Sequence, residues 1–311
     1  MQIKGLEDRM KFEMMSVPAI AGRVGVLLAS ALMVANEPAL AQTSQPGPDA
    51  QSIEQRCPPP LPEAVSFLAM ITEKLVTPGV KFDMKDFTPE LMQQVARIQK
   101  DEAARQAKDW PNLCRYAAAN AAVIASGKRP RVISMGDSIT EYWLVADPGL
   151  FNSEVLDRGI SGQTTPQMLL RMYADVISLR PRLVHIMAGT NDIAGNTGPV
   201  TDQNIIDNIR AMILLAKANR IKVVLGAITP SSGFILRPGV NLSARIIRVN
   251  GLLRQLAAEQ KVVFLDYHAA LTDADGGLQL AHSNDGLHPN RAGYAMIKPL
   301  FERAVHKAGE R

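Results

Sequence analysis

The chain has 311 residues, 47% hydrophobic and 21% charged, with a formal net charge of +4 from 34 basic and 30 acidic residues. This is ordinary globular composition, with length enough for one large core or a domain with an appendage. The positive excess is small and forms no long basic run, so nothing points to nucleic acid or an anionic membrane surface as partner.

At the N-terminus, Arg23 precedes an apolar run from Val24 to Ala35; Asn36, Glu37 and Pro38 break it, and Ala39-Leu40-Ala41 follows. A positive flank, a short apolar stretch and an A-x-A-like site predict a secretory signal peptide over residues 1–41, cleaved near Ala41, and hence a periplasmic or secreted product. The run is too short for a membrane span, which needs about 20 apolar residues. The stretch before Arg23 is long for a signal, which leaves Met14 and Met15 as alternative starts. An uncleaved anchor or a disordered tail is the other reading.

Residues 42–62, rich in Gln, Ser and Pro, read as a linker. Residues 63–128 read as a helical N-terminal extension. Thr88-Pro89-Glu90 looks like a helix start, Leu91, Val95 and Ile98 share one face, and a second helix is expected from Leu113 to Ala125. The two cysteines, Cys57 and Cys114, both fall in the exported part. Export would favour a disulfide between them, the alternative being two free thiols. No cysteine–histidine spacing suggests structural zinc.

From 129 to 311 the pattern changes. Candidate strands at Arg131–Met135, Val155–Arg158, Leu183–Met187, Lys222–Gly226 and Val262–Leu265 alternate with helical patterns at Pro166–Leu179, Asp202–Asn219, Leu242–Glu259 and Arg291–His306. Such alternation predicts an α/β fold, a five-stranded parallel sheet covered on both faces in the flavodoxin-like order 2-1-3-4-5. Ligands bind such sheets beyond the carboxyl ends of the strands.

Four segments fall where loops are expected at that edge: Gly136-Asp137-Ser138, Ser161-Gly162-Gln163-Thr164, Gly189-Thr190-Asn191-Asp192 and Asp285-Gly286-Leu287-His288-Pro289. Ser138 enters a helix, where its hydroxyl lies near the positive end of the helix dipole and its N–H is free to donate. Asp285 can hold the His288 ring in the tautomer that a general base needs. Gly162 can bring a backbone N–H close to a substrate, and the Asn191 amide can point an N–H at a developing oxyanion. Each also has a plainer reading: Ser138 as a helix N-cap, Asn191 as a turn cap, Gly162 as a turn glycine, Asp285 and His288 as a turn before a helix. Singly those readings suffice; all four at one sheet edge make a nucleophile, a base, an orienting acid and three donors. Of the remaining histidines, His185 sits inside a strand and reads as packing, and His282 is the competitor for the base. Thr140 stands where a G-x-S-x-G elbow needs its second glycine, which argues against the α/β-hydrolase fold.

Over roughly Pro130 to Val305 the chain resembles the SGNH, or GDSL-type, hydrolase family. Ser138, Gly162 and Asn191 match its first three blocks, and Asp285, His288 and Pro289 match the last. The segments 158–165 and 188–193 look closest to bacterial acylhydrolases of the platelet-activating-factor acetylhydrolase-like type. The resemblance implies a three-layer α/β/α sandwich and a serine esterase. Ser138, His288 and Asp285 would be its triad, and the Ser138 N–H, Gly162 N–H and Asn191 amide its oxyanion hole. It implies no cofactor and no metal. The expected substrate is a small ester or an acylated carbohydrate, with short acyl groups such as acetyl favoured. The loop Thr229–Asn241, carrying Phe234, Arg237 and Pro238, would help to shape the pocket. Other functions compatible with these residues are a carbohydrate- or envelope-binding module with little turnover and a lysophospholipase-type lipid acylhydrolase.

Overall fold

The computed structural model describes residues 56–81, 88–233 and 241–310. The expected signal peptide, the linker up to residue 55 and the loop residues Phe234, Arg237 and Pro238 lie outside the described residues.

Five parallel strands form the sheet: β1 (Val132–Gly136), β2 (Val155–Gly159), β3 (Leu183–Met187), β4 (Lys222–Gly226) and β5 (Val263–Leu265). Their order is β2-β1-β3-β4-β5, the predicted 2-1-3-4-5. β1 and β3 are buried at every position, which is why both read as nearly continuous apolar runs without polar alternation. Successive side chains serve two cores. Ile133, Met135, Val184, Ile186, Val223 and Leu225 face one. Val132, Leu183, Met187 and Val224 face the other.

Helices cover both faces. On the first lie α5 (Thr165–Asp175), α7 (Asp202–Ala218) and α8 (Ser243–Glu259), burying Met168, Met172, Ile209, Met212, Val249 and Leu253. On the second lie α4 (Ser138–Ala146), α9 (Tyr267–Leu271) and α10 (Arg291–Glu310), whose Trp143, Tyr267, Tyr294 and Phe301 form an aromatic cluster. Two helix starts carry capping boxes, Thr164 with Gln167 on α5 and Thr201 with Asn204 on α7, each satisfying donors that a helix start leaves open.

Three helices precede the sheet. In α1 (Pro62–Val76), Leu75 and Val76 are buried in the second core beside α4. Thr88 caps α2 (Pro89–Gln106) by accepting the Leu91 N–H, as its Thr-Pro-Glu start predicts. α3 (Ala117–Ala125) follows. The helix expected from Leu113 begins instead as a 3-10 turn, Leu113–Arg115, because the Asp109 carboxylate takes the Leu113 and Cys114 N–H groups. Cys57 and Cys114 form a disulfide. The described residues fall in one compact unit.

Two further departures from the sequence pattern are local. The helix expected over Pro166–Leu179 stops at Asp175 and gives way to a 3-10 turn, Ile177–Leu179, with Arg180 in left-handed backbone. The chain must turn sharply there to enter β3 at Leu183. Two short helices, α6 (Thr190–Ile193) and α9, occupy stretches too brief to show a helical period.

Candidate active site

Three strand ends lie level: Gly136 is in register with Gly159 of β2 on one side and with Met187 of β3 on the other. The chain leaves each strand and within a few residues presents Ser138, Gly162 and Asn191. The middle strand therefore carries Ser138, and its two neighbours carry the Gly162 and Asn191 segments. This is the crevice where connections diverge to opposite faces of the sheet.

Ser138 is the first residue of α4, and Asp137 is the N-cap, its carboxylate accepting the Ile139 N–H at 3.0 Å. The capping role that Ser138 could have played thus falls to its neighbour. As the first helical residue, Ser138 has no acceptor within the helix for its own N–H. Its Oγ lies 2.9 Å from His288 Nε2. His288 Nδ1 lies 2.7 Å from Asp285 Oδ2. The other carboxylate oxygen, Asp285 Oδ1, accepts the backbone N–H groups of Leu287 (2.9 Å) and His288 (2.8 Å). The carboxylate and the imidazole come from one short loop whose backbone folds around the carboxylate. The Ser283 hydroxyl pins that loop, 2.8 Å from the His288 carbonyl. Asn284 anchors it from below, its amide donating to the carbonyls of Lys74, Leu75 and Thr77 at the end of α1.

His282 uses its carbonyl to accept the Asn290 N–H; the ring that meets Ser138 is that of His288. His185 is fully buried between Ser134 Oγ (2.9 Å) and the Tyr267 hydroxyl (3.1 Å), a packing histidine as its place in a strand predicts.

The donor side is held as firmly. Gly162 has φ +78°, in the left-handed region that glycine favours. A Cβ there would meet only Asn196 Nδ2, at 3.9 Å, so the glycine is needed for its backbone angle and not to avoid a clash. Asn191 donates from Nδ2 to the Gln163 carbonyl at 3.0 Å and lies 3.4 Å from Asp137 Oδ2. Asn196 donates to Asn191 Oδ1 (2.9 Å) and to the Gly162 carbonyl (3.1 Å), which ties the two donor segments together. Asp192 accepts the N–H and hydroxyl of Thr165, and so braces its loop against α5. The fully buried Arg171 bonds to Gln163 Oε1, Asp175 and the Gly136 carbonyl, linking the residue after Gly162 to the end of β1.

Burial opposes ionisation of Asp285, but the facing His288 charge and three hydrogen bonds outweigh it and hold the carboxyl down at about 2. Burial likewise opposes charging of His288, yet the Asp285 carboxylate outweighs that and raises its pKa above the usual histidine value. Asp137 is pushed up to about 6, chiefly by burial. Between these groups lies a cavity of about 330 Å³ lined by Ser138, Ser161, Gly162, Asn191, Asn196 and His288, with Tyr142, Leu242 and Leu287 as its larger apolar walls. The Tyr142 ring sits 5.0 Å from that of His288.

A five-stranded sheet in this order, with serine, histidine and carboxylate in one hydrogen-bonded line at its carboxyl edge, defines a class of serine hydrolase distinct from those built on a G-x-S-x-G elbow. Within that class the chain belongs to the GDSL-like lipase/acylhydrolase family, whose model matches residues 134–296. It is an ester hydrolase of that family. A candidate acylhydrolase from Bacteroides fragilis is 40% identical, with TM-score 0.61, covering 64% of this chain and 98% of its own. A GDSL-like lipase from Bacteroides thetaiotaomicron is 38% identical, with TM-score 0.60 and the same coverage. Among curated proteins, the uncharacterised lipoprotein YqeF of Bacillus subtilis is 35% identical over 82 residues. That match takes in 25% of this chain and spans only 34% of the lipoprotein.

All five site residues predicted from sequence (Ser138, Gly162, Asn191, Asp285 and His288) meet at this cavity or in the line behind it. Sequence reasoning missed Glu141, Arg171, Tyr142 and Asn196. Glu141 left one trace, standing three residues after Ser138 and therefore about one helical turn away. Asn196 left none.

Proposed function

We propose that this protein is an exported serine esterase that removes short acyl groups, acetyl above all, from small ester or acylated carbohydrate substrates. The observation that carries the proposal is the unbroken Asp285–His288–Ser138 line opening into the cavity.

Ser138 Oγ attacks the ester carbonyl as His288 Nε2 takes its proton, and Asp285 steadies the imidazolium so formed. The carbonyl oxygen, now negative, receives hydrogen bonds from the Ser138 N–H, the Gly162 N–H and the second N–H of the Asn191 amide. In the resting site that second N–H has only the long 3.4 Å approach to Asp137. His288 returns the proton to the departing alcohol. Water then attacks the acyl-enzyme by the same steps and frees the acid and Ser138. Donors fixed before the reaction are worth most here, since each lost donor of this kind costs about 10²–10³ in turnover.

A cavity of about 330 Å³ supports a short acyl group. It lies at the small end of the roughly 300–1,000 Å³ span of ligand pockets. Export is supported by the signal-like N-terminal sequence and by the Cys57–Cys114 disulfide, a bond that persists in oxidising compartments. No helix among the described residues is long and apolar enough to cross a membrane. The partial relative is named a lipoprotein, which agrees with an extracytoplasmic site.

The test is hydrolysis of p-nitrophenyl acetate, butyrate and octanoate by the purified protein and by Ser138→Ala. The expected result is turnover that falls with chain length and drops at least 10³-fold in the variant. Equal turnover in the variant, or none by the parent protein on any ester, would overturn the proposal.

A further inference from the structure

The Glu141 carboxylate is nearly buried and uses both oxygens on groups that the proposed reaction steps leave out. Oε2 accepts the Ser161 N–H at 2.7 Å and the Ser161 hydroxyl at 2.5 Å. Oε1 accepts from Arg115 Nη2 at 2.7 Å. Ser161 is the residue immediately before Gly162. Glu141 stands on α4, the helix that Ser138 begins. The same residue also meets the start of the donor turn through its backbone: a Cβ on Gly159 would fall 2.2 Å from the Glu141 N. Glu141 therefore grips the β2 turn at two points, Gly159 and Ser161, from the helix that carries the serine.

Arg115 closes the arrangement from the other side. It lies over the Tyr116 ring at 5.2 Å and directly follows Cys114, which is bonded to Cys57. The same N-terminal stretch holds the donor loop twice more: the Trp110 carbonyl accepts from Gln167 and the Pro111 carbonyl from Gln163.

We propose that Glu141 is a positioning residue for the Gly162 donor and that Arg115, anchored by the disulfide, holds Glu141 in place. The inference rests on the reading of Gly162 as an oxyanion donor. A donor serves a developing charge only if it is already aimed when the charge appears. Apart from the Asn196 bond to its carbonyl, Gly162, in left-handed backbone with open space around its Cα, has little packing of its own to fix that aim. On its N–H side the fixing comes from the neighbouring residue: two charge-assisted bonds, to the Ser161 N–H and hydroxyl, hold the residue to which the Gly162 nitrogen is joined. Glu141 itself touches no reacting atom.

The experiment compares Glu141→Ala, Glu141→Gln, Arg115→Met, Asn191→Ala and Ser138→Ala in the full chain, by kcat and KM for p-nitrophenyl acetate and by inhibition with a trifluoromethyl ketone. Addition of Ser138 to such a ketone creates a tetrahedral oxyanion. Glu141→Ala is expected to lower kcat about 10- to 100-fold with KM within threefold, and to weaken the ketone by a similar factor. Glu141→Gln keeps an acceptor for Ser161 and should recover most of that loss; Arg115→Met should cost less than tenfold. Should Glu141→Ala fail to fold, Ser161→Ala takes its place. It keeps the N–H bond, loses the hydroxyl bond, and should show a smaller fall in the same two quantities.

Losses in KM alone, or equal losses for Glu141→Ala and Glu141→Gln, would overturn the positioning role. Wild-type kcat in Glu141→Ala, with Asn191→Ala and Ser138→Ala both impaired, would overturn it while leaving the esterase reading intact. Full activity in Ser138→Ala would instead sink the reading beneath it.

Discussion

His288 is the residue whose charge state the structure adjusts most directly toward function. In the proposed reaction its neutral form is the base, while Asp285 favours its charged form and so raises its pKa above 6.5. Activity must therefore rise with pH through a midpoint above 6.5, one proton being lost. Asp285, held at about 2, stays ionised across that range and adds no second limb. A pH profile of kcat/KM should show this ascending limb, with Asp137, pushed up to about 6, titrating below it. In Asp285→Asn the two larger raising causes are gone and burial is opposed only by the Asp137 charge, so the midpoint should fall while kcat falls by orders of magnitude. A midpoint unmoved by that substitution would break the assignment of the His288 base.

Among the elements, the β-strands were the most legible in sequence, because a strand buried on both faces must be apolar at nearly every position. β3 runs over the predicted residues, and β1 and β2 differ by a residue at their ends. The donor and base segments were legible for a related reason. A polar residue or glycine right after an apolar run has few roles, and three such runs end at one edge. The bonds from Glu141 to Ser161 and from Asn196 to Gly162 were not legible, since they join residues 20 and 34 apart that meet only through the βαβ crossover. Cap identity was beyond reach as well: Asp137 and Ser138 are both good N-caps, and one residue of helix phase separates them.

β3 carries one polar side chain into the core, His185, whose pKa burial lowers to about 3. It stays neutral when folded and charges near 6.5 when unfolded, so the unfolded chain binds more protons across that interval. Its contribution is complete above about pH 6.5 and is lost as pH falls from there toward about 3, by at most about 1.4 kcal/mol per pH unit. The difference in urea-unfolding free energy between the parent protein and His185→Gln should follow this slope between pH 7 and 4. A slope unchanged by the substitution would assign the acid sensitivity to other groups.

At the scale of the whole molecule, the N-terminal helices are bound to the sheet domain by more than a peptide bond. Leu75 and Val76 of α1 are buried in its second core, and such side chains contribute about 1.5–3 kcal/mol each. The disulfide closes a loop across a separation of 57 residues, which in the chain-entropy model is worth about 4 kcal/mol. Replacing both cysteines by alanine should lower the free energy of unfolding by up to that amount in urea titrations. Because Cys114 adjoins Arg115, kcat for p-nitrophenyl acetate should fall as well. Unchanged stability in the double variant would show the bridge to be energetically idle.

The triple contact of Asn284 with the end of α1 has an evolutionary edge. Asn284 precedes the acid of the site, and its amide rests on three carbonyls contributed from more than 200 residues earlier in the chain. A gene fusion or duplication that began the protein at the first strand would copy every motif of the site and leave that amide with nothing to hold. The helices that the sequence presents as an N-terminal extension are thus part of what holds the Asp285 and His288 loop in place.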